Sequence, residues 1–314
     1  MAQYGPGLDS RALTEPVVTV QGLRRSYGDF EAVRGIDLEI RAGEVFAFLG
    51  PNGAGKTTTV EILEGYRRRD AGEVRVLGAD PAHAGRDWRG RIGVVLQSSR
   101  PDPYLTVRES LELFAGYYRR PRPVGEVIGL IGLEGKADER ASRLSGGQQR
   151  RLDVGLALIG DPELLFLDEP TTGFDPSARR QAWEVIAGLR ELGKAVFLTT
   201  HYMDEAQRLA DRVAIIARGE IVAEGAPAEL GDREHQPAEI TFRAPGPELP
   251  AIAGAPVSST RDGVVSLRTA EPVRALHELT EWALGRGVDL EGLEVRRPTL
   301  EDIYLQLAGE GDGS

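Results

Sequence analysis

VFAFLGPNGAGKTTTVEIL, residues 45–63, sets a five-residue apolar run (Val45 to Leu49) before GPNGAGKT (Gly50 to Thr57) and a helix-forming stretch (Thr58 to Leu63) after it. Strand, glycine-rich loop and helix in that order make a phosphate cradle. Gly50, Gly53 and Gly55 let backbone N–H groups turn toward phosphate oxygens, and the helix N-terminus adds positive potential. Lys56 then reaches the β and γ phosphates and Thr57 ligates Mg²⁺. The expected nucleotide-binding set is Gly50, Pro51, Asn52, Gly53, Ala54, Gly55, Lys56, Thr57 and Thr58. Basic charge in this chain is carried by arginine, so it is suggestive that one of only three lysines (Lys56, Lys136, Lys194) stands in the loop.

A second segment fits the first. ELLFLDEP, Glu163 to Pro170, is an apolar strand ending in two carboxylates. Open α/β sheets bind ligands at the carboxyl ends of their strands, which brings Asp168 beside the phosphate loop. Asp168 is expected to hold Mg²⁺ directly or through water, and Glu169 to act as the general base on the attacking water. The plainer reading is an acidic surface turn after a strand.

Outward from these motifs, strand-type runs lie at Val17–Val20, Asp37–Ile40, Glu73–Leu77, Ile92–Leu96, Ala195–Thr199, Val213–Ile216 and Ile221–Ala223. They alternate with helical-period segments, the pattern of an α/β domain with a largely parallel sheet. Between Pro101 and Arg143 strand signals stop. Thr106 and Glu109 form a capping-box pattern ahead of Leu111, Phe114 and Tyr118 at helical spacing, and a second helix, Gly125 to Leu133, carries Val127, Leu130 and Ile131 on one face. Both stripes read as core packing in a helical subdomain at about residues 98–150. GDREHQP, Gly231 to Pro237, reads as a boundary. The expected organisation is an N-terminal tail (1–16), an α/β domain (17–230) and a small α+β domain (231–314). The last should contain strands Glu239–Phe242 and Val264–Leu267, a helix Pro272–Leu284 and a final helix Thr299–Leu307 capped by Thr299.

Composition narrows the partners. A net charge of −11 opposes broad contact with nucleic-acid phosphates, so no nucleic-acid partner is expected. No run approaches the ~20 apolar residues of a membrane span, and the first fifteen residues lack the pattern of a secretion signal, so a cytoplasmic location is expected. The absence of cysteine excludes disulfides, thiolate metal sites and cysteine nucleophiles.

LSGGQ, Leu144 to Gln148, precedes LDEP and opens a helix. With GPNGAGKT and LDEP it resembles the ATP-binding cassette (ABC) family over about Val17 to Gly225. The resemblance implies a P-loop ABC nucleotide-binding domain that takes ATP and Mg²⁺. It implies further roles: Tyr27 stacking on adenine; Gln97 contacting Mg²⁺ or the lytic water; His201 bonding the γ-phosphate; and Asp175 in the loop that crosses to a second subunit. Tyr27 also reads as a strand-end aromatic, Gln97 as a loop amide and His201 as a satisfied strand-end histidine. Asp175 before Pro176 also reads as a helix cap, and both roles can hold. Ser145, Gly146, Gly147 and Gln148 of one subunit would then cap the ATP held by Lys56 of another, in a homodimer bound to separate transmembrane permease subunits at the cytoplasmic face of the membrane. Phe174 departs from the leucine more usual at its position.

RRPTLEDIYLQL, Arg296 to Leu307, resembles the tail of daunorubicin-resistance-type exporters, which implies efflux of a drug-like or lipid-like substrate. An importer ATPase and a soluble ABC ATPase are the alternatives. The C-terminal domain is left open between regulation, dimerisation and stabilisation.

Overall fold

The computed structural model describes residues 16–99, 101–230, 237–244, 252, 255–261, 263–297 and 302. The chain divides into two compact units, Met1–Pro227 and Ala228–Ser314.

The first unit is built on β3 (Val45–Leu49), every residue of which is buried. It lies at the centre of a six-stranded sheet in the order β5 (Ile92–Val95), β6 (Leu164–Asp168), β7 (Ala195–Thr200), β3, β8 (Arg212–Ala217), β9 (Glu220–Gly225). Neighbours from β5 to β8 pair in parallel and β9 closes the edge antiparallel. Strand alternation sorts the side chains. Phe46, Phe48, Phe166 and Phe197 face one core, while Val45, Leu165, Leu167, Val196 and Leu198 face another. Burial on both faces explains why these strands read as unbroken apolar runs.

The first core is closed by a separate antiparallel sheet in the order β2 (Phe30–Arg41), β1 (Pro16–Tyr27), β4 (Ala71–Val76). The sequence reading expected short strands at Val17–Val20 and Asp37–Ile40. The structure has twelve-residue strands, because half-polar stretches such as Gln21 to Tyr27 pair edge to edge through register shifts that no apolar run announces.

The second core is closed by α5 (Gly146–Leu158) and α6 (Pro176–Glu191), through Val154, Leu158, Trp183, Ile186 and Leu189. A third core joins α5 to α3 (Val107–Ala115) and α4 (Val124–Leu130) through Val107, Leu111, Val127, Ile131 and Leu152. Thr106 Oγ1 accepts from Glu109 N at 3.1 Å and Glu109 Oε2 accepts from Thr106 N at 2.8 Å, which is the capping box its spacing announces. Phe114, expected in the packed stripe, is instead 38% exposed. Three short helices complete the unit: α1 (Lys56–Leu63), α2 (Arg86–Arg89) and α7 (Met203–Leu209).

The second unit contains an antiparallel sheet in the order β11 (Val257–Arg261), β12 (Val264–Thr269), β10 (Ala238–Arg243), β13 (Glu294–Arg296). It packs α8 (Pro272–Arg286) through Ala275 and Leu279 onto Ile240, Phe242, Val265 and Leu267. The helix expected over Thr299 to Leu307 lies, except for Asp302, outside the described residues, as does all of the Gly231–Pro237 boundary except Pro237. Among the described residues no helix is long and apolar enough to cross a membrane.

Candidate active site

The loop between β3 and α1 is fixed by close approach. A Cβ on Gly50 would lie 2.4 Å from the Ile216 carbonyl oxygen, and one on Gly55, at φ +108°, would lie 2.4 Å from that of Ala32. Lys56 is the first residue of α1 and its side chain is buried. Its Nζ donates to the carbonyl oxygens of Gly50 (2.7 Å) and Pro51 (3.1 Å). Burial lowers the Lys56 pKa, opposed by the nearby charges of Glu169 and Asp168. Thr57 is exposed on the same turn.

Glu169 is the centre of the site. It follows the last residue of β6 at φ +44°, a conformation that costs a non-glycine residue on the order of 1–2 kcal/mol. The turn is held by its own N–H, which donates to the Thr199 carbonyl (3.1 Å) and hydroxyl (3.0 Å). It leaves the carboxylate 9% exposed, with Lys56 Nζ 3.6 Å from Oε1 and His201 Nδ1 3.4 Å from Oε2. Gln97 Nε2 and the Thr172 hydroxyl each donate to Oε2 at 3.1 Å. Three residues singled out in the sequence, from the ends of β5, β7 and the phosphate loop, thus converge on a fourth. Asp168 accepts from Thr199 Oγ1 at 2.5 Å, and burial raises its pKa, reinforced by the adjacent Glu169.

Two residues holding this cluster were not assigned to it from sequence. Thr199 bonds both carboxylate residues. Arg150, 7% exposed on α5, donates to the carbonyl oxygens of Leu96 (2.5 Å), Asp168 (2.8 Å) and Pro170 (3.2 Å). It lashes the helix opened by LSGGQ to the strand ends that carry Gln97 and Glu169. The available signal was a pair of opposite charges three residues apart, Arg150 and Asp153, on the face of the helix that also carries Val154, Ala157 and Leu158.

The remaining sequence candidates gather elsewhere. Ser145 Oγ accepts from Gln148 N (3.3 Å) while Gln148 Oε1 accepts from Ser145 N (2.9 Å), a second capping box. Asp175 Oδ1 accepts from Ser177 N (2.8 Å) and Ala178 N (3.0 Å), which holds its pKa low and caps α6. Gly147 abuts Ala178 and Phe174. Among the described residues no hydrogen bond or ion pair joins Ser145–Gln148 to the Lys56–Glu169 cluster. The Tyr27 hydroxyl lies 3.3 Å from Thr58 Oγ1, and the guanidinium carbons of Arg25 and Arg67 lie 5.1 and 5.2 Å from its ring centre.

Comparison with known proteins agrees with this arrangement. The ABC transporter family pattern matches residues 33–172, and that of an ABC transporter domain-containing protein-like C-terminal domain matches 238–299. A Nod factor export ATP-binding protein I of Ralstonia nicotianae is 39% identical, covering 97% of this chain and 96% of the relative. The chain belongs to the ABC transporter family. A daunorubicin resistance ATP-binding protein of Streptomyces coeruleorubidus is 36% identical over 95% of this ABC protein and 98% of its own length. Among solved structures, a dimeric ATP-binding cassette in a post-hydrolysis state with ADP and Pi matches with 27% identity and a TM-score of 0.59, covering 67% of this chain and 98% of that one. A cassette from Clostridium perfringens, part of the cbiONQ transporter complex, matches with 28% identity and a TM-score of 0.61, covering 68% and 90%. The ABC chain is accordingly an ATPase that binds and hydrolyses ATP.

Proposed function

We propose that this ATPase powers export of a drug-like or lipid-like molecule through separate transmembrane subunits, working as a homodimer at the cytoplasmic face of the membrane. The names of the relatives favour export over the importer reading. The observation that carries the hydrolytic part is the convergence of Lys56, Gln97, Thr172 and His201 on the carboxylate of Glu169.

In this reading the loop N–H groups and Lys56 bind the β and γ phosphates. Glu169 accepts the proton of the attacking water, Gln97 and Thr172 aim its carboxylate, and His201 contacts the γ-phosphate. Gly50 to Thr58 form the nucleotide cradle. Tyr27 stacks on adenine, sharing its ring with an arginine. The donors expected for Mg²⁺ are the Thr57 hydroxyl, the Gln97 amide oxygen and the Asp168 carboxylate. These hard oxygens, with substrate phosphates completing the shell, suit Mg²⁺ better than an all-protein cage, and no cluster of three or more His, Cys, Asp or Glu occurs among the described residues. Bound Mg²⁺ neutralises phosphate charge. Ser145, Gly146, Gly147 and Gln148 would meet the γ-phosphate of the partner subunit, with Asp175 beside them at the interface.

Glu169→Gln should retain ATP binding and lower turnover by ~10²–10⁴-fold, the usual contribution of a general base. Lys56→Ala should weaken ATP binding itself. Both are read by single-turnover hydrolysis beside equilibrium binding of labelled ATP, and full turnover by Glu169→Gln would remove it from the role of base.

A further inference from the structure

One fully buried acid of the first unit has no part in the chemistry above. Glu205 stands on α7, four residues past His201, and is shut off from solvent. Burial raises its pKa, opposed by the hydroxyls of Thr200 and Thr171 and by the Trp183 indole. Thr171 Oγ1 (2.7 Å) and Trp183 Nε1 (3.0 Å) donate to the same carboxyl oxygen, Oε1. A buried charged group is often no better for stability than an apolar side chain of similar volume. What it adds is a fixed geometry among the groups that bond it.

Those groups come from two places that meet again at Glu169. Thr171 and Trp183 are the ends of one segment, 171–183. Between them stand Thr172, whose hydroxyl donates to Glu169 Oε2 at 3.1 Å, and Asp175, which caps α6. The turn that leads to Asp175 begins at Thr171, whose carbonyl accepts from Phe174 N at 3.2 Å. On the other side, the Thr200 hydroxyl accepts from Tyr202 N at 3.0 Å across His201, and His201 Nδ1 lies 3.4 Å from that same Oε2. Thr171 and Thr200 therefore each precede by one residue a group that meets Glu169 Oε2, and both hydroxyls act on the carboxyl of Glu205.

We propose that Glu205 is a positioning residue for hydrolysis: it clamps the turn of His201 to the segment 171–183, so that His201 and Thr172 reach Oε2 of Glu169 together. The inference rests on the reading of Glu169 as the base and supplies what keeps that carboxylate aimed. Glu205 acts through its partners and not on the reacting atoms. Because Thr171 opens the turn of Asp175, the clamp also gives that turn a route to Glu169, through Thr171 and its neighbour Thr172.

The test uses the full-length chain, with single-turnover hydrolysis of labelled ATP and equilibrium ATP binding measured on each variant. Thr171→Val keeps the side-chain volume and removes one donor to Glu205. It should lower the rate constant at saturating ATP by about tenfold or more, since misplacing an aligning group by ~1 Å costs up to ~10²-fold. ATP affinity should change by less than about threefold, the pattern of an interaction felt only in the transition state. Thr171→Ser, which restores the donor, should recover most of the rate. Trp183→Phe removes the other donor and should act in the same direction, which keeps the proposal open to refutation if Thr171→Val does not fold. A merely structural role would shrink the reacting amplitude and leave the rate constant unchanged; that result in both variants would overturn the clamp, as would a Thr171→Ser as slow as Thr171→Val. Combined with Thr172→Val, Thr171→Val should cost less than the product of the single effects, and strict multiplication would overturn the route through Thr172. Full turnover by Glu169→Gln would remove the base and the clamp's object with it. Loss of turnover in Glu169→Gln beside unchanged rate constants in the Thr171 and Trp183 variants would leave the base standing and remove the clamp alone.

Discussion

Replacing Arg150 by alanine should be among the most damaging single changes in the first unit, although the side chain touches no nucleotide. Its guanidinium satisfies the carbonyl oxygens of Leu96, Asp168 and Pro170, and it stands 4.0 Å from the buried carboxylate of Asp153. Each buried carbonyl left unpaired costs ~1–3 kcal/mol, and removing one partner of a buried ion pair costs ~3–5 kcal/mol. These terms overlap, because water can enter from the adjoining cavity of about 490 Å³, which Asp153 helps to line, and Asp153 can take up a proton. Its pKa already stands at about 6 through burial, and without Arg150 it rises further. A net loss of about 4 kcal/mol is expected, equivalent to roughly 10 °C in the melting temperature of a domain of this size. Arg150→Lys keeps the charge but cannot fork to three carbonyls, so it should recover about half. The assay is urea unfolding followed by the fluorescence of Trp88 and Trp183, in a Trp282→Phe background that silences the second unit. Adding Asp153→Asn to Arg150→Ala should cost less than the sum of the single changes by at least ~1 kcal/mol. Stability of Arg150→Ala within ~1 kcal/mol of the unmutated chain, or strict additivity with Asp153→Asn, would refute the account.

The pH dependence of stability should carry a mark from Glu64. Burial, and then the charges of Asp168 and Glu61, push its folded pKa up to about 8 from the ordinary 4.5, so its contribution is complete below 4.5 and is lost as pH rises toward 8. Glu64→Gln does not titrate and should gain on the unmutated chain across that window, by a few kcal/mol at most; a pH-independent difference between their unfolding curves would count against it. Fully buried Glu205 accepts from the Thr171 hydroxyl at 2.7 Å and the Trp183 indole at 3.0 Å, so Glu205→Ala should cost ~2–4 kcal/mol and Glu205→Gln under ~1.5, as measured by thermal melts. Equal damage by the two would mean that the charge, not the accepting oxygen, matters there. Ser145→Ala should cost ~1 kcal/mol by loss of the α5 cap, with Ser145→Thr restoring most of it in the same melts.

What the sequence disclosed was set by how local the signal is. The phosphate loop was legible because strand, glycines, lysine and helix lie within nineteen consecutive residues, and the glycines are demanded by the backbones of Ile216 and Ala32. Glu169 was legible for the same reason. Its neighbours Gln97 and His201 were suggested by resemblance rather than by spacing, since they reach the carboxylate from separate strands. Arg150 and Thr199 were passed over because their partners are backbone atoms and buried oxygens 18 to 54 residues away, which leave no periodic trace. Phe114 misled because helical spacing gives the face of a helix but not which part of that face a neighbour covers. Strands β11 and β13 were missed as short or polar segments whose pairing is decided by β12 and β10.

The capping box at Ser145 has a consequence for the chemical sign of the surface around it. The Ser145 oxygen already accepts from Gln148 N, and the Gln148 side-chain oxygen already accepts from Ser145 N. What the pair has left to donate is the hydroxyl proton and the amide NH₂, beside the first helical N–H groups, which have no partner inside the helix. Each side-chain oxygen already has one local donor while these N–H and O–H groups are uncommitted, so the tip of α5 is richer in donors than in acceptors before any ligand arrives. It suits an anion better than a cation.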